Sequence, residues 1–396
     1  MRRLLATLAI ASFALLLTGA ATSAPMPAAT PAPTPTAAST ATPAPTPAGP
    51  PAGTVTAVVD PGLFTHGRNV LHGIARDPKT GNIYVGVSNL LAHWNPITGM
   101  SSSNDDSLRV ISPSGNVTRL TSFPYPNGIL INPRDGMIYV ATGAIRCNEQ
   151  VGGYTVSRHC PGTNGLVVVD PATGNHHDYV GAGPGRTDAV GTNARFTAVA
   201  EVAFDPDNGN MYVTDNENHL IRQIAPDATV TTLAGVGTRS SADGVGAAAG
   251  FSGPRGIAYC AKEKSLYVAD RDNNEIRKVT LDGTVSTVAG TTSVGYVDGP
   301  VASARFDHPQ GVACDAAGDV FVADTDNNTI RVISASGTVS TLAGAKAMGT
   351  VNGVGSEARF ANPSDLWFDP SDGSLYIIDE GANNIRKVTT GVAPAS

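Results

Sequence analysis

The stretch YVADRDNNEIRKV, residues 267–279, decides the fold because close copies of it recur along the chain. The copies YVTDNENHLIRQI from Tyr212, FVADTDNNTIRVI from Phe321 and YIIDEGANNIRKV from Tyr376 place the first residues 55, 54 and 55 positions apart. Shorter versions begin at Tyr84 and Tyr139, again 55 residues apart. A fixed period of this length marks an array of supersecondary units.

Each repeat predicts four short antiparallel strands. In the unit that starts at Pro254 the strands are GIAYC, SLYVAD, EIRKVT and TVSTVAG. Three clusters separate them, Lys262–Lys264, Asp272-Asn273-Asn274 and Asp282-Gly283, and the Asp, Asn and Gly residues in them are typical of turns. Four strands per repeat form the blade of a β-propeller. The sequence therefore predicts an all-β, six-bladed propeller of four-stranded antiparallel blades.

The two ends of the array predict how the ring closes. The last repeat ends with Asn384–Val388 and has no fourth strand, whereas Gly53–Val58 near the N-terminus matches Gly283–Val288 almost residue for residue. We expect the N-terminal strand to complete the C-terminal blade, because an unpaired strand would leave hydrophobic sheet edges exposed.

Between about residues 53 and 388 the sequence resembles the NHL-repeat family of six-bladed propellers. The resemblance is carried by the YVAD…NN.IR.V segments and by the connectors GYVDGPVASARFDHPQG (295–311) and GTVNGVGSEARFANPSD (349–365). Blades 1 and 2 depart from the pattern, since neither has an Asp at the end of its second strand and both carry insertions.

The first 52 residues predict export. Residues 1–24 contain Arg2 and Arg3, an apolar run and small residues, which is typical of a signal peptide. Residues 25–52 consist almost entirely of Pro, Ala, Thr and Ser and predict a disordered linker, followed by the propeller at 53–390. The linker would either tether the propeller across a cell envelope or be a leader segment with no function of its own. We expect a periplasmic or extracellular protein with no membrane insertion after signal cleavage.

Charge limits the partners. Without the two leader arginines the chain has 24 basic and 33 acidic residues, a net charge of −9. Because no basic stripe with interleaved aromatic residues is present, we expect no nucleic-acid binding. We expect a monomer that binds a protein or carbohydrate ligand.

Four cysteines give two expectations. Cys147 and Cys160 flank the insertion in blade 2, and a disulfide between them would staple that loop in an oxidising compartment. Cys260 and Cys314 lie in the first strands of neighbouring blades, one position out of register, and we expect both to be reduced and buried in the core.

The repeated Asp and Arg are expected to be structural, because a group that recurs in nearly every blade cannot mark a single site. The Asp should hold the turn that follows it, and the Arg should pair with nearby acidic groups. The sets are Asp215, Asp270, Asp324 and Asp379 with Arg222, Arg277, Arg331 and Arg386, and the connector residues Arg195, Arg305 and Arg359.

Candidate binding residues lie where the repeat breaks. The second-strand aromatic and the third-strand Arg are 10 residues apart in blades 3 to 6, but Tyr84 and Arg109 in blade 1 are 25 apart. Blade 2 has a similar insertion in the same hairpin. Long loops in compact domains are often functional, and an exposed aromatic residue buries much area at low entropic cost. We expect Trp94 and Tyr154 in these loops to contact a ligand, although they could instead pack the loops onto the propeller.

The start of each first strand gives a second set. These positions differ in every blade and should ring the channel mouth, as a pocket or as a solvated rim. The candidate binding residues are His72, Asn127, Glu201, Arg255, Gln310 and Asp365, with Ala200 and Ser364 beside them.

Two propeller enzymes bear on catalysis by resemblance. The peptidylglycine-amidating lyases bind zinc through His from three blades, but here only His72 occupies such a position, so a zinc site is not expected. The gluconolactonase-like propellers hold calcium with Glu, Asn and Asp, a role open to Asn127, Glu201 and Asp365.

We therefore predict a binding module on the face that bears both insertions, with no catalytic residues and no cofactor. The alternative is a calcium-dependent lactonase, esterase or lyase-like enzyme with its site at the channel mouth.

Overall fold

The computed structural model describes residues 52–59, 64, 69–89, 106–143, 147–151, 154–158 and 164–393. Within these residues six antiparallel sheets of four strands form the blades, and three of them carry an extra two-residue strand at one edge. The closing strand and blades 1 and 2 contain β1 (Thr54–Ala57), β2 (Asn69–Arg76), β3 (Ile83–Asn89), β4 (Ser107–Ile111), β5 (Val117–Thr121), β6 (Pro126–Ile131), β7 (Ile138–Thr142), β8 (Cys147–Val151), β9 (Tyr154–Arg158), β10 (Gly165–Val169) and β11 (His176–Val180).

The remaining blades follow the sequence repeat. Blades 3 and 4 contain β12 (Val199–Phe204), β13 (Met211–Asp215), β14 (Leu220–Ile224), β15 (Val230–Ala234), β16 (Gly244–Val245), β17 (Pro254–Cys260), β18 (Ser265–Asp270), β19 (Glu275–Thr280) and β20 (Thr284–Gly290). Blades 5 and 6 contain β21 (Gly299–Pro300), β22 (Pro309–Cys314), β23 (Val320–Asp324), β24 (Thr329–Ile333), β25 (Thr338–Gly344), β26 (Gly353–Val354), β27 (Pro363–Asp369), β28 (Ser374–Asp379) and β29 (Asn384–Thr389). The predicted all-β six-bladed propeller is confirmed.

The hydrophobic core lies between blades. Among the described residues it divides into six clusters, each drawn from two adjacent blades. One cluster, for example, packs Ile378 of blade 6 against Val85 of blade 1. The second strands are covered on both sides, which explains why β18 (SLYVAD) is buried along its whole length, whereas the outer strand β20 is buried at only some positions.

The ring closes as the sequence predicts. Strand β1 pairs antiparallel with β29, with Val55 opposite Val388 and Thr56 opposite Lys387. The backbone N–H of Gly53 extends this pairing by donating to the oxygen of Thr389 at 2.7 Å. The N-terminal strand is thus the fourth strand of blade 6.

The repeated Asp–Arg pair is structural, as predicted. In blade 4 the buried Arg277 donates to the Asp270 carboxylate at 2.9 Å and to the Asp243 carboxylate at 2.7 Å, and its guanidinium lies over the ring of Phe251. Asp270 also accepts from the side chain of Asn273 in the turn that follows it. The pair therefore ties the turn, the connector and the blade together.

The expectation for Cys260 and Cys314 is wrong. The two residues form a disulfide whose Cα atoms are 5.5 Å apart, which links the inner strands of blades 4 and 5. In sequence they are one position out of register, but inner strands of adjacent blades pack side by side along the channel. Side chains offset by one residue can therefore meet. Cys160 lies outside the described residues, so the Cys147–Cys160 disulfide stays a prediction.

The leader 1–24 and nearly all of the linker 25–52 also lie outside the described part of the chain. No helix among the described residues is long and apolar enough to span a membrane.

Candidate functional site

The channel wall is built from the first strand of each blade. Each of β2, β6, β12, β17, β22 and β27 contacts the next, and β27 contacts β2. In all six blades the pairing of this strand with the second strand shifts register near its start, as between Pro254 and Ile257. Such a β-bulge bends the strand and redirects its side chains. At the bulge Asn127, Glu201, Arg255 and Gln310 have no partner in the ladder, whereas His72 and Asp365 stay paired with Gly86 and Ile378.

The six candidate mouth residues do come together. They line one narrow cavity of about 30 Å³, which we call the polar ring: His72, Asn127, Glu201, Arg255, Gln310 and Asp365, together with Gly73, Gly128, Ala200, Gly256 and Ser364. A cavity of this size holds one or two water-sized groups. The polar ring can therefore admit a single small polar group, and it cannot enclose a whole sugar ring.

Glu201 and Asp365 occupy a special position. The other four blades have glycine there, at Gly73, Gly128, Gly256 and Gly311. A Cβ atom on Gly128 would overlap the Glu201 carboxylate, so the glutamate side chain lies against the glycine of the neighbouring blade. The two carboxylates come from blades 3 and 6, which are opposite each other in a ring of six.

Hydrogen bonds hold several ring residues in place. The Asn127 amide nitrogen donates to the backbone oxygens of Gly143 and Val199 at 3.0 and 2.9 Å. The Asp365 carboxylate accepts from the N–H of Ile74 at 3.1 Å and from that of Leu366 at 2.8 Å. These contacts join neighbouring blades, so Asn127 and Asp365 contribute to the structure of the ring whether or not they touch a ligand.

Gln310 differs from these residues. It is 7% exposed, and its side-chain carbonyl oxygen has no hydrogen-bond partner in the described part of the protein. A buried acceptor without a partner costs free energy, on the order of 1–3 kcal/mol. The oxygen is therefore available to a water molecule, a cation or a donor group of a ligand.

Burial controls the charges of the ring. It raises the pKa of Asp365 to about 6 and raises that of Glu201 well above its ordinary value, to which the nearby Asp365 adds. Burial also lowers the pKa of His72 to about 4, so this imidazole is neutral at pH 7, with Nε2 2.7 Å from the Ser88 hydroxyl. Perturbed titrating groups that cluster in a cleft are typical of functional sites.

The two insertions leave the propeller beside the polar ring. The end of β3 pairs with the start of β2, with Asn89 opposite Asn69, and Thr142 at the end of β7 is opposite Pro126. Part of the blade 2 insertion forms a hairpin of β8 and β9, in which Tyr154 pairs with Val151. Trp94 lies outside the described residues, so its contact with a ligand stays a prediction, as does that of Tyr154.

A second, larger cavity, which the sequence did not predict, lies at the other end of the channel. This far cavity has a volume of about 600 Å³ and is lined by the later residues of the inner strands from all six blades. Glu201 and Asp365 line it as well as the polar ring. They therefore stand between the two cavities.

A cluster of potential metal ligands lies in the blade 5 connector and turn. Within the described ranges, Asp307, His308 and Asp326 have ligand atoms within 4.8 Å of one another. The His308 Nδ1 atom is 2.8 Å from Asp307 and 2.9 Å from Asp326, so contacts among these side chains already account for the cluster. It gives no independent indication of a metal.

Comparison with known families agrees with this architecture. Residues 104–347 match the family model of the SMP-30/Gluconolactonase/LRE-like region, and the chain belongs to this family of propellers. Among characterised sequences it is 29% identical to NHL repeat-containing protein 2 of Bos taurus over 273 residues, 57% of this chain and 37% of that protein. It is also 25% identical to Teneurin-3 of Mus musculus over 310 residues, 68% of this chain and 11% of that protein. The matched part therefore covers little more than a third of the first relative and about a tenth of the second.

Solved structures show the same fold at low sequence identity. An auxiliary nutrient binding protein from Bacteroides ovatus superposes with a TM-score of 0.58 at 16% identity, over 87% of this chain and 77% of that one. A gluconolactonase from Xanthomonas campestris gives a TM-score of 0.54 at 14% identity, over 85% and 89% of the two chains. At this level of identity the likeness concerns the fold alone.

Proposed function

We propose that this protein is an exported binding module whose ligand is held on the face that bears the blade 1 and blade 2 insertions, with the polar ring at the centre of the site. The observation that carries the proposal is the unpartnered oxygen of Gln310 inside a ring that is polar and different in every blade. A ligand donor would satisfy this oxygen and remove its desolvation cost.

The size of the polar ring favours a carbohydrate over a protein. One hydroxyl of a sugar fits a cavity of about 30 Å³, and it can donate to Gln310 while it accepts from Arg255. The rest of the sugar would lie outside the ring, where Trp94 and Tyr154 in the insertions would provide flat apolar surfaces. The proposed site would therefore combine a small polar anchor with an aromatic rim.

The nutrient-binding structural relative gives weaker support. Nutrient binding is a property of that protein, and a shared fold does not establish a shared ligand. Export rests on the N-terminal sequence, and the Cys260–Cys314 disulfide is compatible with an oxidising compartment.

An array of glycans and envelope extracts should identify the ligand. Once one is found, Trp94→Ala and Glu201→Ala should each weaken binding by more than about 1 kcal/mol, a roughly fivefold rise in Kd. Lys264→Ala is the control, since this side chain is exposed and pairs with Asp207 at the opposite end of the propeller. If only Lys264→Ala weakened binding, the ligand would bind the opposite face of the propeller, and the proposed site would be wrong.

A calcium-dependent lactonase is the second candidate. It is favoured by the family and by the oxygens of Glu201, Asp365 and Gln310 in one ring, which suit a hard cation. The fit is incomplete, because Asp365 already accepts two backbone N–H groups and the positive charge of Arg255 acts on both carboxylates. These contacts leave the polar ring poorly suited to a catalytic metal. If the purified protein contained stoichiometric calcium and hydrolysed lactones in a reaction that a chelator abolishes, the lactonase would become the favoured function over the binding module.

A further inference from the structure

Small residues at matching positions of three inner strands line part of the far cavity. Ala203, Ala258 and Ala313 occupy the same place in the inner strands of blades 3, 4 and 5, and all three line the cavity. At the matching place blade 6 has Trp367, which also lines it. The small alanine side chains at these three positions leave more room in the cavity than larger side chains would.

The walls of this cavity are apolar and aromatic. Phe204, Tyr259, Trp367 and Phe368 line it from three different blades. Tyr259 contributes an aromatic ring to the wall, and burial together with the nearby Asp205 carboxylate raises the pKa of its hydroxyl to about 12. A volume of about 600 Å³ with mostly apolar walls and a few polar groups is typical of sites for small molecules.

The charged residues of the far cavity lie at two levels: at its open end, which we call the rim, and at its inner end beside the polar ring, which we call the floor. At the rim Arg76 forms an ion pair with Asp369, and the Asp77 carboxylate accepts hydrogen bonds from the backbone and side chain of the loop that contains Lys79. At the floor the charged residues that line the cavity are the carboxylates of Glu201 and Asp365, whereas Arg255 and His72 line the polar ring and not this cavity. A molecule that enters from the far end therefore meets these two carboxylates at the bottom of the cavity. Arg255, whose charge acts on both, lines only the polar ring beyond them.

We propose that the far cavity binds a small protonated organic amine, with its apolar body against Trp367 and Tyr259 and its ammonium group towards Glu201 and Asp365. Aromatic faces attract cations, and a desolvated ammonium needs an opposite charge to offset the loss of water. A carboxylate ligand would instead be repelled by the floor. This site shares Glu201 and Asp365 with the polar ring but opens at the other end of the channel, and the proposal does not depend on carbohydrate binding.

Fluorescence of Trp367 can test the proposal, because Trp94 and Trp367 are the two tryptophans of the chain. In the full chain carrying Trp94→Phe, the remaining signal comes from the wall of the far cavity. Benzylamine, benzyl alcohol and benzoate are matched probes of nearly equal size that differ in charge. We expect a saturable change with benzylamine, a Kd at least tenfold weaker with benzyl alcohol, and no saturation with benzoate.

Two further variants locate the bound amine. Glu201→Gln keeps the size of the side chain and should reduce the preference for benzylamine over benzyl alcohol at least fivefold, whereas Glu357→Gln, the same change in an exposed turn, should not. Ala258→Leu should weaken all binding by filling the cavity. The proposal is overturned if benzylamine does not saturate the signal, if benzoate binds as well as the amine, or if Glu201→Gln behaves like Glu357→Gln.

Discussion

At the residue scale, the most informative feature is the replacement of glycine by Glu201 and Asp365. Glycine suits this position because the inner strand of the next blade approaches closely, so that a Cβ on Gly73 would overlap the backbone oxygen of Asn127. Two carboxylates in so tight a place are expected to cost stability, since both are partly removed from water and they repel each other. Groups that reduce stability in this way are common at functional sites.

The titration of these carboxylates predicts how stability depends on pH. Because the folded-state pKa of Asp365 is about 6 and that of Glu201 is also raised, the folded protein binds more protons than the unfolded chain above pH 4. These two groups should therefore make the free energy of unfolding fall as pH rises from about 4 through the raised pKa values. Glu201→Gln should stabilise the protein at pH 8 by on the order of 1 kcal/mol and flatten this dependence.

Urea denaturation at pH 5 and pH 8 measures both effects. Glu357→Gln serves as the control, because it removes the same charge from an exposed turn and should leave the stability at both pH values unchanged. A Glu201→Gln protein that is less stable than the wild type at pH 8 would show that the carboxylate supports the ring.

At the element scale, each buried arginine joins a blade to its connector. Arg277 donates to the carboxylates of Asp270 and Asp243 and to the backbone oxygens of Gly250 and Ala242. Replacing it with an apolar residue leaves four acceptors without their donor. Breaking a buried ion pair from one side typically costs 3–5 kcal/mol.

Arg277→Met should therefore lower the free energy of unfolding by about 3 kcal/mol or more. The matched control is Arg239→Met, which removes an arginine that also pairs with an aspartate, Asp272, but has a 63% exposed side chain. An exposed pair contributes less than about 1 kcal/mol. Equal effects in chemical denaturation would contradict the structural role of the buried pair.

The disulfide between blades 4 and 5 gives another prediction at this scale. Its cysteines are separated by 54 residues, and closing a loop of this length in the unfolded chain is worth about 4 kcal/mol in the chain-entropy model. The double variant Cys260→Ala/Cys314→Ala should be less stable by up to that amount. Peptide mapping without reduction should find Cys260 linked to Cys314, and free thiols at both positions would contradict the structure.

At the scale of the whole molecule, the sequence repeat predicts the number of blades, their strands and the closing strand, because each repeat contains the same buried strands and turns. The sequence also indicates the residues of the polar ring, since they lie at the start of each inner strand, where the aligned blades differ from one another. It did not predict the Cys260–Cys314 disulfide or the far cavity. Both depend on how the inner strands of different blades pack around the channel. The residue pattern within one repeat does not contain this information.

Closure of the ring can be tested by deletion. Removing residues 53–59 eliminates β1 and leaves β29 with an unpaired edge, so the melting temperature should fall sharply. Removing residues 25–51 should have little effect, because this segment precedes the closing strand. Equal melting temperatures for the two deletions would contradict closure by the N-terminal strand.

We propose that the polar ring recognises a ligand through the free oxygen of Gln310. Gln310→Met keeps the shape of the side chain and removes that oxygen, so the unliganded protein should be at least as stable as the wild type. The decisive measurement is the affinity of this variant for a glycan that the wild-type protein binds on the array. We predict a loss of tenfold or more, with no change for Lys264→Ala; unchanged affinity in Gln310→Met would contradict the claim.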